Sequence, residues 1–84
     1  MKVEILTPSS SVFEGEATLV QLPGADGLFE ILNNHAPMIT FLGKGKVKIK
    51  MEDKDNLIYF NLDGGVVEIL NNKVLVLAEK CSSI

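Results

Sequence analysis

The stretch "KVKIKM", residues 46–51, decides the fold class. Lysine and apolar residues alternate at every step. An extended strand sends successive side chains to opposite faces, so Val47, Ile49 and Met51 share one face and Lys46, Lys48 and Lys50 the other. A helix would scatter both sets around its axis. The same period of two runs outward in both directions. Towards the C-terminus lie "LIYFNL" (57–62), "VVEIL" (66–70) and "VLVLAE" (74–79). Towards the N-terminus lie "VEIL" (3–6), "SVFEG" (11–15), "ATLVQL" (17–22), "LFEIL" (28–32) and "MITFL" (38–42). These are β-branched or aromatic runs of strand length.

Turn chemistry separates the runs. Thr7-Pro8-Ser9-Ser10, Pro23-Gly24-Ala25-Asp26-Gly27, Gly43-Lys44-Gly45, Glu52-Asp53-Lys54-Asp55-Asn56, Asp63-Gly64-Gly65 and Asn71-Asn72-Lys73 all read as loops or hairpin tips. Short strands with such close punctuation predict an all-β protein, a sandwich or flattened barrel of about nine or ten strands. "EILNN" occurs at 30–34 and again at 68–72 without matching flanks, and reads as one strand-end device used twice. The expected organisation is a single β domain over 1–79 and a short tail over 80–84.

Composition narrows the function classes. Eighty-four residues make one domain with a modest core. A net charge of −3 has the wrong sign for gripping phosphate backbones, so no nucleic-acid partner is expected. No apolar run approaches the roughly 20 residues that cross a bilayer as a helix, and the first residues lack a signal-peptide core. The single cysteine, Cys81, cannot form an internal disulfide, which fits a reducing compartment.

Catalytic and cofactor chemistry finds little material. His35, the one histidine, would need an orienting carboxylate and a nucleophile to act as a base, and only Cys81 offers a thiol. The plainer reading is a corner histidine that bonds to backbone or meets a partner. One His and one Cys cannot fill a structural zinc site, and Glu52, Asp53 and Asp55 lack the spacing of a calcium loop. The glycine-bearing turns at 23–27 and 63–65 open no helix and carry no phosphate-binding lysine pattern. Neither an active site nor a cofactor is expected. The lysine face of 46–51 reads first as a solvent face, and second as a contact for acidic groups. Lys54 in "EDKDN" supports a rival reading as the attachment lysine of a lipoyl- or biotinyl-type carrier domain. The residue after it is Asp55, and the "MKM" signature is absent.

Taken in order, "VEILTP", "VFEGEATLVQLPGADGLFEILNNHAPMIT", "GKGKVKI" and "YFNLDGGVVEILNNKVLVLAE" resemble the N-terminal domain of the epsilon subunit of F-type ATP synthases, called delta in mitochondria. The resemblance covers nearly the whole chain. Asn34-His35-Ala36-Pro37 after an Ile-Leu strand end and the close from Gly64 to Ala78 are its most specific pieces. Glu30 stands where the family usually has glycine, and Leu28 where an acidic residue often follows the turn glycine. Many members also continue into a two-helix hairpin, so a short form without it is expected here.

The resemblance implies a non-catalytic central-stalk subunit on the cytoplasmic face of a bacterial inner membrane. It would join the gamma subunit to the membrane c-ring and turn with both. It places Asp26, Gly27, Leu28, Asn34 and His35 on the c-ring side and Met38, Ile39, Thr40 and Phe41 on the gamma side. In "HAP", Pro37 fixes its own φ and pushes Ala36 towards extended geometry, which makes a stiff corner. Alternate residues of 38–42 are expected to divide between the core and a partner surface.

Overall fold

The computed structural model describes residues 1–53 and 56–84; Lys54 and Asp55, and with them the carrier-lysine reading, lie outside the described residues. The chain forms seven strands: β1 (Lys2–Leu6), β2 (Ser11–Gly24), β3 (Gly27–Leu32), β4 (Met38–Met51), β5 (Leu57–Leu70), β6 (Lys73–Ala78) and β7 (Cys81–Ser83). No helix occurs among the described residues.

β2, β4 and β5 are each 14 residues long, and each serves both layers of a sandwich. In one layer the order is β4 (38–42), β5 (65–70), β6, β1 and β2 (11–16). In the other it is β3, β2 (17–24), β4 (44–51), β5 (57–63) and β7. Three strands counted twice turn seven into ten segments, which is the all-β sandwich or flattened barrel expected from the pattern. All pairings are antiparallel except β1 against β6.

Two segments read as loops from composition are corners inside continuous strands. Gly43-Lys44-Gly45 lies within β4 and Asp63-Gly64-Gly65 within β5. The two corners face each other, with Leu42 paired to Gly65 and Lys44 to Asp63. Glycine is required at one of them: a Cβ on Gly65 would lie 2.4 Å from the Leu77 carbonyl oxygen, and its φ is +153°. Asn71-Asn72, by contrast, is a true hairpin tip. Both residues have positive φ (51° and 59°) between the paired Leu70 and Lys73, the backbone of a tight primed turn. The segment expected as a tail contributes β7, whose Cys81 and Ser83 pair with Leu62 and Phe60.

The core follows the period of two. Val3, Ile5, Val67, Ile69, Val74 and Val76 point inward from the first layer. Val20, Leu22, Ile31, Val47, Ile49, Phe60 and Leu62 meet them from the second. Each such side chain taken from water contributes roughly 1.5–3 kcal/mol before chain entropy is set against it. Phe13 tilts against Phe60 with ring centroids 5.7 Å apart, closing one end. No polar side chain is buried among the described residues.

Candidate docking surfaces

Residues 38–42 leave the Pro37 corner and enter β4 at the edge of the first layer. Alternation divides them as expected. Leu42 is buried, Met38 and Thr40 are half-buried, and Ile39 and Phe41 are 70% and 71% exposed on the outer face. Register then extends this face sideways. Phe41 stands opposite Val66, Val66 opposite Leu77, and Leu77 beside Leu6. One apolar row thus crosses four strands. The next row reads Ile39, Glu68, Leu75 and Glu4, so charge enters as the face leaves the Phe41 end. A groove of about 780 Å³ follows the apolar row, lined by Leu6, Pro8, Phe41, Val66 and Leu77 with Glu79 at its rim. Apolar patches with polar rims mark protein or membrane contacts and ligand grooves, and in this row Phe41 and Leu77 are exposed while Val66 and Leu6 are half-buried. The sequence pointed to 38–42 here. Val66, Leu77 and Leu6 went unnoticed, because only the pairing register puts them beside Phe41.

A second concavity, about 360 Å³, opens between β3 and the start of β4. Asp26, Gly27, Leu28, Glu30, His35, Met38 and Thr40 line it. Residues expected on two different partner sides therefore meet around one hollow, while Ile39 and Phe41 face elsewhere. Asn34 stands apart, with φ +64° and its N–H bound to the Asn72 side chain at 2.7 Å. His35 Nδ1 lies 2.7 Å from the Ala36 carbonyl oxygen. A carbonyl only accepts, so Nδ1 is the donor in this contact and Nε2 is turned away from it.

This geometry does not assemble a nucleophilic pair. Cys81 sits on β7 opposite Leu62 and does not line the His35 hollow. Burial raises its thiol pKa, the reverse of an activated cysteine. Among the described residues no three His, Cys, Asp or Glu side chains are grouped to hold a metal ion.

The lysine face lies on the outside of the second layer. Lys46, Lys48 and Lys50 stand opposite Asn61, Tyr59 and Leu57 of β5. On the other side, Lys48 is opposite Gln21, whose amide donates to Glu30 at 3.1 Å.

Comparison with known proteins agrees with this architecture. The family model for the ATP synthase delta/epsilon chain β-sandwich domain matches residues 1–83. The ATP synthase epsilon chain of Chlorobium limicola is 42% identical over 81 residues, covering 96% of this chain and 91% of the relative. That of Sulfurimonas denitrificans is 43% identical over 79 residues, but the match spans only 60% of that longer relative. Among solved structures, a chain of the Euglena gracilis mitochondrial ATP synthase (OSCP/F1/c-ring) superimposes with a TM-score of 0.87 at 11% identity, over 96% of this chain and 51% of that one. A chain of the Tetrahymena thermophila mitochondrial ATP synthase central stalk and c-ring gives 0.79 at 22% identity, over 96% and 64%. At such identities the likeness establishes the fold.

Proposed function

Because the chain belongs to the ATP synthase delta/epsilon family, and so to a non-catalytic subunit of that complex, we propose that it is a rotor subunit of the central stalk. It links the gamma subunit to the membrane c-ring, turns with both, and serves a proton- or sodium-driven ATP synthase at the cytoplasmic face of a bacterial inner membrane. It acts by holding two partners in register rather than by chemistry.

The observation that carries this reading is the apolar row Phe41, Val66, Leu77 and Leu6 on a domain whose core is already complete. An outer sheet face in a lone soluble domain ordinarily reads as polar. Here it offers a partner a groove into which side chains can insert, and Ile39 and Phe41 beside it are suited to be anchors. We assign this face to gamma. The hollow between β3 and β4, with Asp26, Gly27, Leu28 and His35, is assigned to the c-ring loops, with Asn34 holding the corner in place. His35 Nε2 and the Asp26 carboxylate offer polar contacts there, and Leu28 an apolar one.

The test is reconstitution with gamma and with the complete membrane complex. Phe41→Asp and Leu77→Asp should weaken gamma binding while the isolated domain stays folded. Substitutions in the hollow should spare gamma binding and reduce coupling between ion flow and ATP synthesis. If both outer-face variants bind gamma like the parent, the assignment fails.

A further inference from the structure

The hairpin joining β2 to β3 leaves β3 at the end of its layer, paired with β2 alone among the described residues. Which of its backbone groups face outward follows from the register. Ala25 N–H donates to the Phe41 carbonyl at 3.1 Å, just outside the paired Gly24 and Leu42. That bond turns the N–H and C=O of Gly24 itself towards Gly27 of β3. Counting along the antiparallel ladder, Phe29 and Ile31 bond to β2, while Leu28, Glu30 and Leu32 aim their N–H and C=O groups outward. Pro23 confirms the count. It stands opposite Leu28, at a position that needs no N–H for β3, and the β2–β4 ladder breaks between Gln21 and Gly24.

The other edges of the sandwich are blunted. β7 has three residues. The open part of β4 begins at Pro37 and ends where Ala25 bonds to Phe41. The start of β2 carries Glu14 and Glu16, with Glu14 paired to Lys2. β3 has six residues, no proline, no lysine and no bulge. Its outward side chains Leu28 and Leu32 are 67% and 55% exposed. An edge of that kind is a template for another strand.

A second copy of this chain is a poor occupant. Opposed residues in an antiparallel pair share a face. Of the antiparallel registers that set outward-bonding residues against each other, the one that uses all three pairs Leu28 with Leu32 and sets Glu30 against Glu30 of the copy. Like charges directly opposed oppose pairing. We infer that the free edge of β3 is a strand-addition site for an extended segment of a different polypeptide, apolar at alternate positions and carrying a lysine or arginine opposite Glu30. This goes beyond the rotor reading and is tested without gamma or the c-ring, although Leu28 and Glu30 also line the hollow assigned to the c-ring loops.

The test uses the full 84-residue chain, labelled for NMR, and the peptide acetyl-Thr-Val-Thr-Lys-Thr-Val-Thr-amide. Its lysine falls opposite Glu30 and its valines opposite Leu28 and Leu32. The expected result is slowed exchange of the Leu28, Glu30 and Leu32 amides and no comparable change elsewhere. A version with glutamate for lysine should bind about tenfold more weakly, from gaining a like-charge pair and losing an opposite one. Glu30→Lys, at an exposed position, should reverse that preference. The proposal is overturned by absence of protection at millimolar peptide, by equal binding of the two peptides, or by equal binding of a peptide N-methylated along its bonding edge. Dimerisation of the free chain through β3 would equally overturn it.

Discussion

The backbone N–H of Asn34 donates a 2.7 Å hydrogen bond to the side-chain oxygen of Asn72. Each residue ends one copy of "EILNN", so the repeated stretch meets itself in space. Asn34, Asn71 and Asn72 all have positive φ, a region that asparagine enters more readily than other side-chain-bearing residues. The neighbouring Asn33 accepts from the Met1 ammonium at 2.7 Å. The corner that carries His35 is therefore tied both to Met1, just ahead of β1, and to the β5–β6 hairpin.

Asn72→Ala removes the bond to Asn34 and leaves alanine at φ +59°. The expected loss is about 2 kcal/mol, combining a hydrogen bond with left-handed strain. Asn72→Gly loses the bond without the strain and should cost about half as much. Urea unfolding of the two variants measures the difference.

Gly64 and Gly65 separate crowding from conformation. At Gly64 the nearest atom to an added Cβ is 3.9 Å away, and only the φ of +76° opposes alanine, at about 1–2 kcal/mol. At Gly65 the Leu77 carbonyl must move, parting β5 from β6 beside the apolar groove. Gly65→Ala should cost more than about 3 kcal/mol. Equal unfolding midpoints for the two variants would refute the corner argument.

Phe41→Asp removes a mostly exposed ring. The isolated domain should keep its stability to within about 0.5 kcal/mol, as at surface sites in general. Gamma affinity, read by calorimetry, should fall by more than about 2 kcal/mol.

His35→Ala deletes a local bond to Ala36 on a half-buried side chain. Stability should change by less than about 1 kcal/mol, and the effect should appear in assembly with the membrane sector. An unfolded variant would show that His35 supports the core and does not serve docking.

Cys81 gives a pH prediction. Burial raises its thiol pKa, so the folded state favours the protonated form. That contribution is complete below the ordinary thiol range and is lost as pH rises through the raised value. Alkylation by iodoacetamide at neutral pH should be slower than for a free thiol peptide. The stability of the parent, relative to Cys81→Ala, should decline at alkaline pH.

Strand chemistry was legible wherever one face is buried and the other is wet. Val47 and Ile49 are wholly buried while Lys46 is exposed, as "KVKIKM" requires. The long strands were not legible as units. Glycine pairs in Gly43-Lys44-Gly45 and Gly64-Gly65 have the composition of a turn whether the chain reverses or merely bends. The difference depends on what lies across the corner. For Gly65 that is the Leu77 carbonyl, contributed by the neighbouring strand β6.

Local sequence by itself determined the all-β class and the alternation of side chains within 38–42, because successive side chains of a strand point to opposite faces; that Ile39 and Phe41 are the outward members is a fact of the structure. Only the tertiary structure decided that Val66, Leu77 and Leu6 continue the Phe41 row and that His35 shares a hollow with Asp26. It also decided that β3 presents Leu28, Glu30 and Leu32 at a free edge. Those facts follow from pairing register and layer order, which are properties of contacts between distant segments. A shift of one residue in any strand would preserve its period and move its whole outward set to the other face.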